Sequence, residues 1–150
     1  MAKEIERKFL VKRELFKPTG EGEYIAQGYL SSIPERTVRV RLRNHRGYLT
    51  VKGKNVGISR KEFEYEIPEA DAKELLELCG SSVILKRRYN VVVGGSRWEV
   101  DIFDGGNKGL ILAEIELQSE EEEFTKPDWL GEEVSNDARY YNVNLVKSEQ

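Results

Sequence analysis

Glu4, Glu6 and Lys8 stand at alternate positions near the start of the chain. In an extended strand alternate side chains share a face, so these three point one way while Ile5 and Phe9 point the other. Two carboxylates one pleat apart lie roughly 6.5 Å from each other. They repel unless positive charge stands between them. A divalent cation meets that need, and Lys8 beside it offers a hold on an anion.

The same spacing recurs along the chain. Arg39, Arg41 and Arg43 alternate with Val38, Val40 and Leu42, and Thr50, Lys52 and Lys54 alternate with Leu49 and Val51. Arg60, Glu62, Glu64 and Glu66 oppose Phe63, Tyr65 and Ile67, while Lys86 and Arg88 oppose Leu85, Arg87 and Tyr89. Glu99 and Asp101 oppose Trp98, Val100 and Ile102. Glu114 and Glu116 oppose Ala113, Ile115 and Leu117. Any one such strand reads as part of an antiparallel sheet with one wet face. Two features of the set argue for more. Charges of one sign repeat at i, i+2, where they repel, and many strands with few helices need a solution for their edges. Closure into a barrel removes the edges. With charges inward, the lumen requires bound ions, because desolvated like charges are costly. Acidic pairs would hold cations and basic pairs a multiply charged anion.

The elements that position these residues follow from period-two alternation. Strands are expected at 3–11, 24–31, 36–43, 47–54, 60–67, 84–93, 96–103 and 110–118. Residues 43–48 read as a hairpin turn with Asn44 and Gly47 in left-handed backbone, and His45 as a solvated turn residue. Gly94-Gly95 signals a second hairpin. A helix over 69–79 places Ala72, Leu75, Leu76 and Cys79 on one stripe, opened by Pro68 and stopped by Gly80. Ser119 to Glu122 fits a capping box opening a short helix, and 136–147 predicts a C-terminal helix. The apolar strand face, Phe63 included, is expected to lie under helices or neighbouring apolar surface.

The chain has 150 residues, read as one domain over 1–150. Its net charge of −3 and pI of about 5.4 point neither to a nucleic-acid coat nor to a membrane-surface binder. Cys79 is the one cysteine, so no intrachain disulfide forms, and the expected compartment is reducing. No apolar stretch approaches the ~20 residues of a membrane span, and no signal segment is evident, so the expected location is cytoplasmic. With His45 the one histidine, multi-histidine metal sites are ruled out and Ser-His or Cys-His nucleophiles are disfavoured.

The ordered set EIERKFLV, RVRLR, TVKGK, KRRY, WEVDIF, AEIEL and VSNDARYYN resembles the CYTH superfamily, also called triphosphate tunnel metalloenzymes. The resemblance covers nearly the whole chain and is most similar to the short bacterial inorganic triphosphatases. It implies an α+β, predominantly β fold: a closed eight-stranded antiparallel β-barrel, a tunnel with a polar charged lumen and a few flanking helices. By motif, Lys8, Arg39, Arg41, Lys52, Lys86 and Arg88 resemble the family's phosphate ligands, and Arg139 is expected to reach the terminal phosphate. Glu4, Glu6, Asp101, Glu114 and Glu116 resemble metal ligands. Glu62 and Glu64, with Glu4, Glu6 and Lys8, are the expected catalytic set, adding to the metal site or orienting water. All-oxygen sites favour Mg²⁺ or Mn²⁺, and two ions are expected.

The implied reaction is divalent-metal-dependent hydrolysis of inorganic triphosphate to pyrophosphate and phosphate, with weaker activity on nucleoside triphosphates. Three alternatives stand beside it: a class IV-type adenylyl cyclase, a thiamine triphosphatase, and a non-catalytic polyphosphate or nucleotide binder. The cyclases usually carry a His-Phe pair upstream of the first glutamates, where this sequence has three residues. The binder leaves four acidic pairs without a purpose. The expected partner is a small triphosphate, with no nucleic acid, membrane or obligate protein partner.

Overall fold

The computed structural model describes residues 3–80 and 83–145. Nine strands form in chain order: β1 (Lys3–Val11), β2 (Glu23–Ile33), β3 (Arg36–Arg43), β4 (Arg46–Gly53), β5 (Ser59–Ile67), β6 (Val83–Val93), β7 (Ser96–Phe103), β8 (Ile111–Glu116) and β9 (Leu130–Glu133). Helix α1 (Glu69–Leu78) lies between β5 and β6, and the short α2 (Asn142–Leu145) ends the described chain. No helix among the described residues is long and apolar enough to cross a membrane.

The strand order is β5-β4-β3-β2-β6-β7-β8-β1, and a further β5–β1 pairing joins the two ends. The result is the expected closed eight-stranded antiparallel barrel, with β9 outside the closed circuit. Closure is short: β1 meets β5 through Lys3, Glu4 and Ile5, opposite Lys61, Arg60 and Ser59. Beyond that point β9 takes over the same edge of β1, with Phe9 opposite Glu133 and Val11 opposite Leu130. Four residues including Gly131 carry too little alternation for β9 to be read from sequence.

The charged parity faces inward, and two different materials cover the apolar parity outside. Helix α1 lies on the β2–β4 wall. Gly28 and Gly47 permit its close approach, since a Cβ on Gly47 would stand 2.6 Å from that of Ala72, and one on Gly28 2.7 Å from that of Cys79. The β1–β7–β8 wall is covered by loop aromatics rather than by helices. Trp98 sits there edge-on against Phe9 at 5.7 Å, Phe124 at 5.6 Å and Trp129 at 5.7 Å, in a cluster with Val100, Ala113 and Ile115. Phe63 departs from expectation: on the outer face of β5 it is 43% exposed and joins neither apolar cluster.

Three local expectations need correction. The hairpin between β3 and β4 uses Asn44 (φ 48°) and His45 (φ 67°) as its left-handed pair. Gly47 belongs to β4, where its missing side chain accommodates Ala72. The capping-box segment at 119 makes one turn only. The Glu122 amide donates to the Ser119 carbonyl at 3.3 Å, but no apolar stripe follows to propagate a helix, and the chain instead carries Phe124 into the aromatic cluster. The expected helix over 136–147 is a 3₁₀ turn at Ala138–Tyr140 followed by α2. Its last two positions lie outside the described residues.

Trp98 fills the centre of the loop-covered wall, whereas Phe63 fills nothing. Trp98→Ala is expected to cost about 3–5 kcal/mol, the usual range for deleting a large buried aromatic. Phe63→Ala should cost well under half of that. Urea denaturation of the two variants checks the contrast, and comparable losses would contradict this account of the core.

Candidate active site

Around the barrel the inward charges sort by sign. Strands β7, β8, β1 and β5 are consecutive neighbours and carry Glu99, Asp101, Glu114, Glu116, Glu4, Glu6, Glu62 and Glu64. Strands β4, β3, β2 and β6 complete the circle and carry Lys52, Arg39, Arg41, Lys86 and Arg88, with neutral Gln27 and Tyr29 on β2. Lys8 and Arg60 are the exceptions, cations within the acidic arc, with Lys8 directly across from Glu114. Inside lies a cavity of about 560 Å³, whose wall includes Glu4, Glu6, Lys8, Arg39, Arg41, Lys52, Glu62, Glu64, Arg88, Glu114 and Glu116.

Ion pairs stitch the two seams where the arcs meet. At the β4/β5 seam, Lys52 Nζ stands 3.0 Å from Glu62 Oε1 and 3.4 Å from Glu4 Oε1. Arg39 Nη2 there reaches Glu64 Oε1 at 3.4 Å. At the β6/β7 seam, Arg88 forks onto Asp101 with bonds of 2.7 and 2.9 Å. Lys86 Nζ lies 2.7 Å from the same carboxylate, and Arg88 also reaches Glu99 at 3.3 Å.

The electrostatics follow from this division. Burial, with Glu114 and Glu4 adding repulsion, holds the Glu6 carboxyl well above the usual carboxylate range. Burial also raises Glu4, against the pull of Lys52. Burial raises Glu116 as well, with Glu62 and Glu99 nearby. Burial and Arg39 press Lys52 down, but Glu4, Glu6 and Glu62 together carry it above its ordinary value. Within the basic arc, burial beside Arg39 and Arg88 lowers Arg41 to about 9. Burial takes Lys86 down to about 7 even against Asp101. Against the burial that would raise them, Lys8 pulls Glu114 down to about 2 and Lys52 lowers Glu62. The shortage of counter-charge therefore falls on Glu4, Glu6 and Glu116 in the acidic arc and on Arg41 and Lys86 in the basic arc, so the first is suited to cations and the second to an anion.

The lumen is not charged throughout. Ile84, Phe103 and Leu112 share the inward parity and form an apolar floor with Val134 and Leu145. The C-terminal segment reaches the site through polar atoms as well. Lys8 Nζ donates to the Tyr140 carbonyl at 2.9 Å, and the Lys8 amide donates to Ser135 Oγ at 2.9 Å. Ser135, Tyr141, Asn142 and Asn144 face the cavity.

Two residues singled out from sequence sit behind the wall. Lys86 and Asp101 are 0% and 1% exposed, and Asp101 spends its oxygens on Arg88 and Lys86. One is not brought to the tunnel. Arg139 points outward, its side chain 79% exposed and paired with Asp137 at 2.6 Å, because a single 3₁₀ turn sets which side of the segment faces in. Conversely, Gln27 escaped the sequence reading. It is fully buried and accepts from Arg41 Nε at 2.9 Å, but a lone amide on β2 carries no spacing signal. Arg43 and Arg60, already on the charged parity in sequence, also line the cavity.

Among the described residues, no three Asp, Glu, His or Cys side chains converge as a ready-made metal cage. The donor set nevertheless fits a hard divalent cation. It consists of carboxylate oxygens, with no thiol or imidazole on the cavity wall, and oxygen ligands suit such ions. Two of its members, Glu4 and Glu6, are raised by burial and by neighbouring carboxylates, and an ammonium already stands between Glu4 and Glu62.

Comparison with known proteins returns one family. The model described as the CYTH domain matches residues 2–147. An inorganic triphosphatase of Acetivibrio thermocellus is 52% identical over 149 residues, covering 99% of this chain and 96% of that protein. An inorganic triphosphatase of Nitrosomonas europaea is 36% identical, with 97% of each covered. The crystal structure of the inorganic triphosphatase NE1496 superposes with a TM-score of 0.69 at 33% identity, covering 97% of this chain and 95% of that one.

The excess of buried negative charge has a measurable consequence. A carboxyl raised in the folded state favours folding while protonated, and that contribution is lost as pH rises through its folded value. Without added metal at neutral pH, Glu6→Gln is therefore expected to raise the melting temperature, by roughly 2–4 °C per kcal/mol of repulsion relieved. The gain should shrink as pH falls toward the ordinary glutamate value of about 4.3. Thermal melts in chelator across this range check it, and a lowered melting temperature at neutral pH would contradict it.

Proposed function

The chain belongs to the CYTH domain family, and on that premise we propose that it hydrolyses inorganic triphosphate to pyrophosphate and phosphate. The observation that carries this reading is the division of one closed cavity into a basic and an acidic arc. Phosphoryl transfer between oxygens needs positioning, charge neutralisation and an in-line water more than covalent help from the protein. The basic arc supplies the first two. Arg39 and Arg41 offer guanidinium forks that match phosphate oxygens, and Lys8, Lys52 and Arg88 add charge along the wall.

Triphosphatases of this family are metal-dependent. For this chain we infer Mg²⁺ or Mn²⁺, two ions, held by Glu4, Glu6, Glu114 and Glu116 in the acidic arc. Such ions supply Lewis-acid polarisation of phosphate oxygens and acidify a bound water. In this reading Glu62 and Glu64, at the seam facing the phosphate ligands, would orient the attacking water. Asp101 has a different role from the one its motif implies. With both oxygens held by Arg88 and Lys86 it fixes those cations from behind. Arg139, turned outward, has no part in this reading.

The direct test is phosphate release from triphosphate, ATP, thiamine triphosphate and pyrophosphate with Mg²⁺ or Mn²⁺. Triphosphate is expected to be the best substrate. No release from any triphosphate, or cyclic AMP as the main product from ATP, would overturn the assignment. Glu4→Gln should abolish most turnover yet leave metal-free triphosphate binding largely intact. Arg39→Ala should weaken that binding by about tenfold to a hundredfold, the range for losing one charge-assisted contact.

A further inference from the structure

Thr50 lies at the β4/β5 seam, directly between Arg39 on β3 and Glu64 on β5 in the strand register. It is 0% exposed and stands behind the cavity wall rather than on it. Its hydroxyl uses both of its capacities. It donates to Glu64 Oε1 at 2.8 Å and accepts from Arg39 Nη2 at 3.2 Å. One oxygen atom thus ties the cation of one arc to the carboxylate of the other. The direct contact between the two charges is longer, at 3.4 Å.

We propose that Thr50 is a positioning residue that aligns Glu64 and Arg39 across the seam without neutralising either. This rests on the triphosphatase reading above and extends it to a residue that touches no substrate. The argument is one of charge and valence. A lysine at this position would pair with Glu64 and remove it from water-orienting work, and a glutamate would compete for Arg39. A hydroxyl occupies one oxygen of Glu64 and one nitrogen of Arg39, and leaves the rest of each group available. Arg39 Nε is buried with no hydrogen-bond partner among the described residues, so the Thr50 and Glu64 contacts at Nη2 are the bonds that hold this guanidinium. The neighbouring seam position shows the contrast: Lys52, a full cation, is held by Glu62 and Glu4. Rotation of Glu64, whose side chain is 43% exposed, is limited on this side by the Thr50 bond. A bonded carboxylate at a half-open position keeps one orientation, where an unbonded one samples several.

The experiment compares Thr50→Val, which replaces the hydroxyl by a methyl, with Thr50→Ser, which keeps it. Three quantities are read: kcat for triphosphate, metal-free triphosphate affinity by calorimetry, and melting temperature. T50V is expected to lower kcat by about tenfold to a hundredfold, the range for losing a hydrogen bond to a charged group. It should also weaken metal-free binding several-fold through Arg39. T50S should recover most of both losses. In a Glu64→Ala background, T50V should cost less than threefold further in kcat, because residues acting through one another are not additive. Should T50V fail to fold, Thr50→Ala removes the same hydroxyl and is read in its place. The proposal is overturned if the hydroxyl-free variant stays within twofold of wild type in both rate and affinity. Equal impairment of T50V and T50S, or full additivity with E64A, overturns it as well. If the wild type releases no phosphate from triphosphate, the hydrolase reading fails by itself. The metal-free calorimetry still decides whether Thr50 sets Arg39.

Discussion

Like charges cannot be buried side by side without counter-charge, and this constraint organises the barrel. Most of the inward ionic residues sort by sign into two arcs, apart from Lys8 and Arg60. The protein satisfies only the borders. Lys52 with Glu62, and Arg88 with Asp101, neutralise the arcs where they touch. The centres stay unbalanced: burial, with carboxylates nearby, forces Glu6 up, and burial beside other guanidiniums brings Arg41 down. A desolvated imbalance of this kind costs stability. It is tolerable because the opposite halves of the cavity invite opposite ligands, and because the outer wall supplies independent cohesion. The Trp98 cluster is apolar and lies on the outer face, adding burial outside the tunnel.

The strand parity that points inward was legible in the sequence because period-two alternation is set by backbone geometry alone. Each charged pair announced its face. Barrel closure was legible only indirectly, from the repetition of like charges and the shortage of helices. The order of strands around the barrel was not legible from spacing, and so neither was the segregation of sign, since it depends on which distant strands pair. Glu62 and Glu4 are 58 residues apart in the chain and share one ammonium. Gln27 and the Tyr140 carbonyl were invisible for a related reason, and Thr50, though its face was legible, gave no sign of its partners. A single polar residue or a backbone atom has no pattern, and its function comes from what the fold sets beside it.

Alternation also misled where it was taken too far. Leu10, Ile84, Phe103 and Leu112 hold the same parity as the charged residues, yet the first packs against, and the others form, the apolar floor. Parity specifies a face of the strand, and the position along the strand decides what fills that face. At one end the lumen is a core, packed by Val134 and Leu145, and further along it is a polar cavity. Asp101 shows the same dependence on depth. Its motif places it with the metal-ligand carboxylates. Its level in the barrel places it against Lys86, beside Phe103, out of reach of the cavity.

The joint that closes the barrel is also its shortest, three residues of β1 against three of β5. It determines whether Glu62 and Glu64 join the acidic arc of β7, β8 and β1. In an open sheet with the same strand order, β5 would stand at one edge, and Glu62 and Glu64 would be separated from Glu4 and Glu6 by the full width of the basic strands. Closure makes them neighbours. Few backbone bonds hold this joint, so side chains that span it carry unusual weight. Lys52 does so from β4, reaching Glu62 on β5 and Glu4 on β1 at once. The Ser59 hydroxyl, next to the joint, donates to Glu120 at 3.1 Å and ties the start of β5 to the loop after β8. Arg60 Nε bonds the Gly53 carbonyl at 3.1 Å and anchors the same start to the end of β4. A cation that bridges the acidic arc at its closing joint links fold to site directly: the interaction that gathers the carboxylates also completes the wall around them.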